Sequence, residues 1–461
     1  MNTIIKERAV FAVVSILALV FVTVFGGSYP DTVGEGQAGL GEEGVAENYL
    51  RTSSFISIIK VIAGMEDAEG IFSPGWILGY GAIDKERQNE EDAGSEDEGQ
   101  GGDEQPGKRK DDYTYREDEG TSSGSRLDSR YVLGFYVDDE YIHPSSYDRM
   151  VKYGKGLSAV APFWYRLSPE DGSKLQQHHP EEGFTDDKIK RIIAKAHAQD
   201  MEVLMLIHNL LYGGKANGKE LAKKMLASKE SRKVFIDNVE RVIDEFDYDG
   251  INIDIESIYV SDRDRFSSLI KELHGRLSPK GLRITVCVPA KTTDNLNNTW
   301  SGPFDYKETA RYSDKVAIMT YDEHGYSSGP GPVASYNWVR KVMKYAVGQI
   351  PAEKILMGIP GYGFDWTVGK KGARYISYAQ AVNLASSKGT SIQWDDTARV
   401  PYYKYQENGQ SHQVWFESKY SLEHKLDIVE EYNIGGIALW RVGLEDAGVW
   451  DVIDRRIAAK K

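Results

Sequence analysis

Residues 249–256 read Asp249-Gly250-Ile251-Asn252-Ile253-Asp254-Ile255-Glu256, a glycine followed by strict alternation of apolar and polar residues that ends in a carboxylate. In a β-strand successive side chains point to opposite faces. Asn252, Asp254 and Glu256 therefore share one face and the three isoleucines the other, with same-face neighbours about 6.6 Å apart. Two carboxylates sit side by side on this reading. Close, buried carboxylates push each other's pKa values apart, which keeps one of them neutral and available as a general acid.

The flanking sequence makes this a central strand. Phe235, Val239, Val242, Ile243 and Phe246 fall at helical spacing in a segment rich in charge, as in a surface helix laid on a sheet. Short apolar runs recur at Tyr131–Tyr136, Leu157–Phe163, Val203–Ile207, Ile251–Ile255, Leu282–Val288, Val316–Met319, Ile355–Ile359 and Ile434–Leu439, eight in all. Helical patterns lie between them at Thr185–Gln199, Asp262–Leu277, Ser335–Val347 and Ser421–Tyr432, several opening on Ser, Thr or Asp as an N-cap should. Parallel strands need helical crossovers, and eight of them close a sheet, so the fold class is α/β, a (β/α)8 TIM barrel. Active groups then belong at the carboxyl ends of the strands. Glu256 ends the fourth run, Tyr321-Asp322 the sixth and Trp440-Arg441 the eighth. From about Gly361 to Lys419 there is too much sequence for a loop, with aromatic alternation around the hairpin signal Glu407-Asn408-Gly409. Tyr362, Phe364 and Trp366, just past the seventh run, are subsite candidates.

At these residues the chain resembles the family 18 glycoside hydrolases, whose signature is an Asp-Gly-x-Asp-x-Asp-x-Glu fourth strand, a Met-x-Tyr-Asp sixth strand and a Trp ending the eighth. The resemblance covers roughly Ser129 to Lys461. It implies Glu256 as general acid, Asp254 as its partner and Tyr321 as a hydrogen-bond donor at the reacting sugar. It also implies Asp322 as polar clamp, Trp440 as floor, Met319 as pocket lining, and a small α+β insertion after the seventh strand that walls a groove. One position departs: Asn252 stands where the pattern has its first ladder Asp. With the Tyr-Asp-Glu-His sixth strand and Gly329-Pro330-Gly331-Pro332, that departure is similar to the spore-cortex and cell-wall hydrolases of endospore-forming bacteria. Asn252 is expected to share a hydrogen bond with Asp254 and leave it more readily an anion.

The family lies outside the scheme in which a protein carboxylate attacks the sugar. The resemblance therefore implies substrate-assisted retention: the 2-acetamido oxygen attacks the anomeric carbon while Glu256 protonates the leaving oxygen. The expected substrate is a β-1,4 glycan of N-acetylated amino sugars, peptidoglycan or, as the alternative, chitin. A further alternative is a catalytically silent sugar-binding barrel.

Composition bounds the rest. The 461 residues carry 56 basic and 70 acidic side chains and a net charge of −14, which argues against nucleic acid as a partner. The lone cysteine, Cys287, excludes an internal disulfide and reads as a buried inert thiol. The histidines show no metal-ligand spacing, and neither a metal nor a cofactor is expected. Lys6 and Arg8 precede an uncharged apolar run, Ala9–Phe25, so residues 1–27 read as an export signal or a membrane anchor that leaves the barrel outside the cytoplasmic membrane. Residues 28–83 contain apolar stretches without a clear assignment. Residues 84–130 are acidic and almost free of apolar side chains, as in a disordered linker. The catalytic barrel is expected over 131–461, as a monomer.

Overall fold

A computed structural model describes residues 127–138, 144–177, 185–210 and 217–459. The readings of residues 1–27, 28–83 and all but the end of 84–130 lie outside them. Eight strands form the barrel: β1 (Leu127–Tyr136), β2 (Ala159–Pro162), β3 (Glu202–His208), β4 (Gly250–Asp254), β5 (Arg283–Pro289), β6 (Lys315–Met319), β7 (Ile355–Pro360) and β8 (Gly436–Trp440). Each pairs in parallel with the next, and β8 returns to β1 through Tyr131 opposite Gly436, so the sheet closes. All eight apolar runs named from sequence are barrel strands.

The alternation in β4 sorts its side chains as its periodicity requires. Ile251, Ile253 and Ile255 join a core cluster with helix residues such as Ile189, Phe235, Val239 and Phe266, between barrel and helices. Burying each side chain stabilises the fold by about 1.5–3 kcal/mol. The opposite faces of the strands supply a second cluster, the barrel interior, with Leu133, Phe135, Ala161, Leu204, Leu206, Cys287, Ala317, Leu356, Ala438 and Trp440. Asn252 and Asp254, 0% and 3% exposed, are the β4 side chains on the face away from the helices.

The turn into β4 explains the rest of the quoted stretch. The helix Lys229–Phe246 ends on Asp247 in the left-handed conformation (φ 62°). Asp249 then turns its carboxylate onto the Val203 amide (2.7 Å) and the His197 ring (2.8 Å), fixing β4 beside β3. At Gly250 a Cβ would lie 2.1 Å from the Arg283 carbonyl oxygen, so only glycine admits this approach of β4 to β5. The helices open where expected, on Thr185 and Ser335, except that the last long one starts earlier, with Ser418 as its cap and Ser421 closing a capping box. At the opposite end of the barrel, Tyr131 and Arg283 both bond Glu202, tying β1, β3 and β5 together.

Between β7 and β8 a five-stranded antiparallel sheet forms from Tyr362–Thr367, Arg374–Ser377, Gln393–Asp395, Val400–Glu407 and Gln410–Phe416, with the helix Tyr378–Ser387 packed on it. Its hairpin turns at Asn408 (φ 49°) and Gly409 (φ 73°), the two positive-φ positions that an Asn-Gly pair supplies.

Candidate active site

The carboxyl ends of β4, β5, β6 and β8 converge on one mouth. Asp254 lies within β4, and Glu256 follows two residues on, half-buried at the rim. Its backbone is pinned from β3: the Asn209 side-chain oxygen accepts the amides of Glu256 (3.1 Å) and Ser257 (3.4 Å), while its nitrogen donates to the Ser257 carbonyl (2.7 Å). Asn209 is thus a positioning side chain that sequence reasoning missed. Its only sequence signal is a place one residue past a strand end.

Burial raises the Asp254 carboxyl to about 7, while a hydrogen bond from Cys287 pulls it down. Glu256 is pushed well above the ordinary carboxylate range, first by desolvation of its carboxyl, then by the negative charges of Asp254 and Asp322. The residue is partly open to solvent, but its carboxyl end is the desolvated part. The result is a pair in which Glu256 holds its proton most tightly and Asp254 ionises near neutrality. Such a pair can deliver a proton to a leaving oxygen while an anion stands beside it.

Asn252 does not hydrogen-bond Asp254 as expected. Its nitrogen donates to Thr285 Oγ1 (2.7 Å) and its oxygen accepts from Cys287 Sγ (3.4 Å), both on β5. Burial still raises the Asp254 carboxyl to about 7, with the neutral Asn252 beside it. Cys287 is buried as expected, yet it touches the acidic ladder.

From β6, Tyr321 brings a hydroxyl whose pKa is driven up by burial and by the fields of Cys287, Asp254, Glu256 and Asp322, so it remains a donor at any physiological pH. Asp322 is exposed, sits at φ 58°, and accepts the Tyr362 hydroxyl at 2.5 Å. Met319 is half-buried and packs on the interior cluster. Trp440 ends β8 with its ring 5.1 Å from Phe135 and edge-on to Phe163 at 5.9 Å, 6% exposed. Asn252, Asp254, Glu256, Met319, Tyr321, Asp322 and Trp440 thus come together as read from sequence.

The aromatic residues past β7 stand differently. Tyr362, 2% exposed, reaches the site through its hydroxyl on Asp322 and its ring edge-on to Tyr321 at 6.3 Å, and Phe364 and Trp366 are fully buried. Trp366 donates its ring N–H to the Gly325 carbonyl (3.2 Å), which ties the insertion to the loop after β6. Their contribution in this structure is to hold the loop that carries Asp322. Two large apolar side chains are instead exposed on the loop after β5, Leu296 and Trp300. This loop leaves the strand where Pro289 aligns with Met319 of β6, between Glu256 and Tyr321.

Comparison with known proteins agrees with this geometry. The family model for glycosyl hydrolases family 18 matches residues 164–445. A cortical fragment-lytic enzyme of Bacillus cereus is 31% identical over 318 residues, covering 68% of this chain and 73% of its own. The crystal structure of the Bacillus cereus spore cortex-lytic enzyme SleL matches with a TM-score of 0.65 at 26% identity, over 73% of this chain and 76% of that one. That of a chitinase from Chromobacterium violaceum gives 0.64 at 25% identity, over 71% and 98%. The chain belongs to glycosyl hydrolase family 18 and is a glycoside hydrolase related to spore cortex-lytic enzymes and chitinases.

Proposed function

We propose that the protein is an exported, monomeric glycosidase that hydrolyses β-1,4 bonds after an N-acetylated amino sugar in peptidoglycan, spore cortex included, with retention through the substrate's own acetamide. The observation that carries this reading is the split pair at the end of β4, a Glu256 carboxyl held protonated beside an Asp254 that ionises near 7. Glu256 gives its proton to the glycosidic oxygen as the bond from C1 breaks. The acetamide oxygen closes on C1 to form an oxazolinium ion. Asp254, as an anion, accepts the acetamide N–H and stabilises the cation, while the Tyr321 hydroxyl donates to the acetamide oxygen. Water then attacks C1, returns a proton to Glu256, and reopens the ring to restore the acetamide with the original anomeric configuration. Trp440 offers a flat apolar face to the sugar, and Asp322, braced by Tyr362, takes a polar group at its rim.

The likeness to the cortical fragment-lytic enzyme supports cortex as the polymer, and the charged, apolar amino-terminal 27 residues support export or anchoring outside the cell. The likeness to the Chromobacterium chitinase favours chitin as the second reading. Digestion of sacculi, spore cortex and chitin, with mass spectrometry of the new reducing ends, separates the two. Peptidoglycan fragments ending in N-acetylglucosamine are expected. Glu256→Gln should bind glycan and lose activity by about a thousandfold or more, since proton transfer to a poor leaving group is removed. Undiminished cleavage of a de-N-acetylated glycan would remove the acetamide mechanism.

A further inference from the structure

Thr285 and Cys287 alternate along β5 beside Asn252 and Asp254 of β4, with Thr285 directly opposite Asn252 in register. The Thr285 hydroxyl donates its single proton to the Ile251 carbonyl (3.2 Å), so it must accept from the nitrogen of Asn252 at 2.7 Å. That fixes the amide. Its nitrogen faces Thr285, and its oxygen, an acceptor only, faces Cys287 Sγ at 3.4 Å. The thiol also lies beside Asp254, one place on from the Ile253–Val286 pair in the same parallel register, near enough to lower the pKa of its carboxyl. Buried at 1% exposure and flanked by acidic groups, it stays protonated. One S–H proton therefore serves two acceptors, the Asn252 amide oxygen and the Asp254 carboxylate.

We propose that Cys287 is a positioning residue for Asp254, whose S–H donates to the carboxylate when Asp254 is ionised and to the Asn252 oxygen when it is protonated, with Thr285 locking the amide. The proposal rests on the acetamide reading above, in which Asp254 must be an anion to hold the acetamide nitrogen. It also gives Asn252 a role: a carboxylate there would compete with Asp254 for the thiol and add a second buried charge. The other titratable groups facing Asp254 are Glu256 at the end of its own strand, His208 opposite it on β3, and Tyr321 and Asp322 from β6, the last held by Tyr362. Among the groups bearing on Asp254, the thiol is the hydrogen-bond donor that favours the anion.

The test is the pH profile of kcat/KM on a soluble oligosaccharide for the full chain and for Cys287→Ala and Cys287→Ser. Removing the donor should move the acidic limb of Cys287→Ala to higher pH by up to about one unit, roughly tenfold in rate on that limb. Cys287→Ser, which keeps a donor, should return the limb toward wild type even if its Tm is lower. A thiol that only fills space predicts the reverse, a fall in Tm with an unmoved limb, and that result overturns the proposal. Because this is the chain's single cysteine, its S–H infrared band offers a readout that needs no variant. The band should shift as pH rises through the value near 7 at which Asp254 ionises, and a band that does not move also overturns the proposal. Glu256→Gln, assayed in parallel, separates the two levels. If it is inactive and the Cys287→Ala limb is unmoved, only the thiol's role fails; if it stays active, the acetamide reading fails with it.

Discussion

Asp254 is stored at a cost to the fold. Its pKa in the folded chain is about 7, against about 3.9 for a free aspartate. Below about pH 4 it is protonated folded or unfolded and costs nothing. As pH rises through the unfolded value the unfolded chain releases the proton and the folded one does not, so stability falls until about pH 7 and is flat beyond. Asp254→Asn should therefore raise Tm at pH 8 through a gain on the order of 4 kcal/mol that fades to almost none at pH 4, while activity is lost. Thermal unfolding of both proteins across that range checks it, and a gain that persists at pH 4 would place its origin elsewhere. At this scale much was legible beforehand. Alternation and strand ends are local features, and they found Asp254, Glu256, Tyr321 and Trp440. Asn209 and Cys287 were not legible because their roles are set by partners 47 and 35 residues away in the chain, in contacts only the closed barrel makes.

Elements decide how firmly these side chains are presented. Glu256 lies past the last residue of β4, where no strand pairing holds it, and Asn209 from the end of β3 substitutes for the missing ladder. Asn209→Ala should lower kcat about tenfold to a hundredfold with KM little changed, because a loosened acid loses alignment more than it loses substrate binding. Equal loss in KM would mark Asn209 as a substrate contact. The loop after β5 has the complementary role. Arg263 bonds Asp294, Asp305 and the Gly302 carbonyl, and Lys291 bonds Asp294 and the Phe304 carbonyl, so Leu296 and Trp300 are held out from a braced loop. Trp300→Ala should raise KM for long glycans several-fold and leave a short chromogenic substrate unaffected, as loss of one stacking surface far from the cleaved bond would. An equal effect on both substrates would count against an outer subsite. The aromatic residues after β7 show the limit of sequence at this scale. An aromatic just past a strand end has the same local signature whether it lines a groove, like a subsite, or is sealed in packing, as Phe364 and Trp366 are.

For the whole molecule, the balance of 56 basic against 70 acidic side chains bears on which polymer is cut. Peptidoglycan carries the carboxylates of its stem peptides, and a protein of net charge −14 approaches it against repulsion. Chitin oligomers are neutral and present no such barrier. Salt acts on the difference, since the screening length falls from about 30 Å at 0.01 M to about 8 Å at 0.15 M. The buried catalytic pair lies inside the barrel mouth and is screened far less, so kcat on any substrate should move little over that range. Digestion of sacculi should therefore accelerate between those two salt concentrations, mainly through kcat/KM, while hydrolysis of chito-oligosaccharides stays flat. A turbidity assay of sacculi beside a reducing-end assay of oligomers, at matched pH, measures both. Sacculus digestion that slows as salt is added would mean that the enzyme is drawn to the wall by attraction. That outcome would require a basic wall-binding surface outweighing the net charge, and would move the search for wall recognition away from the barrel mouth.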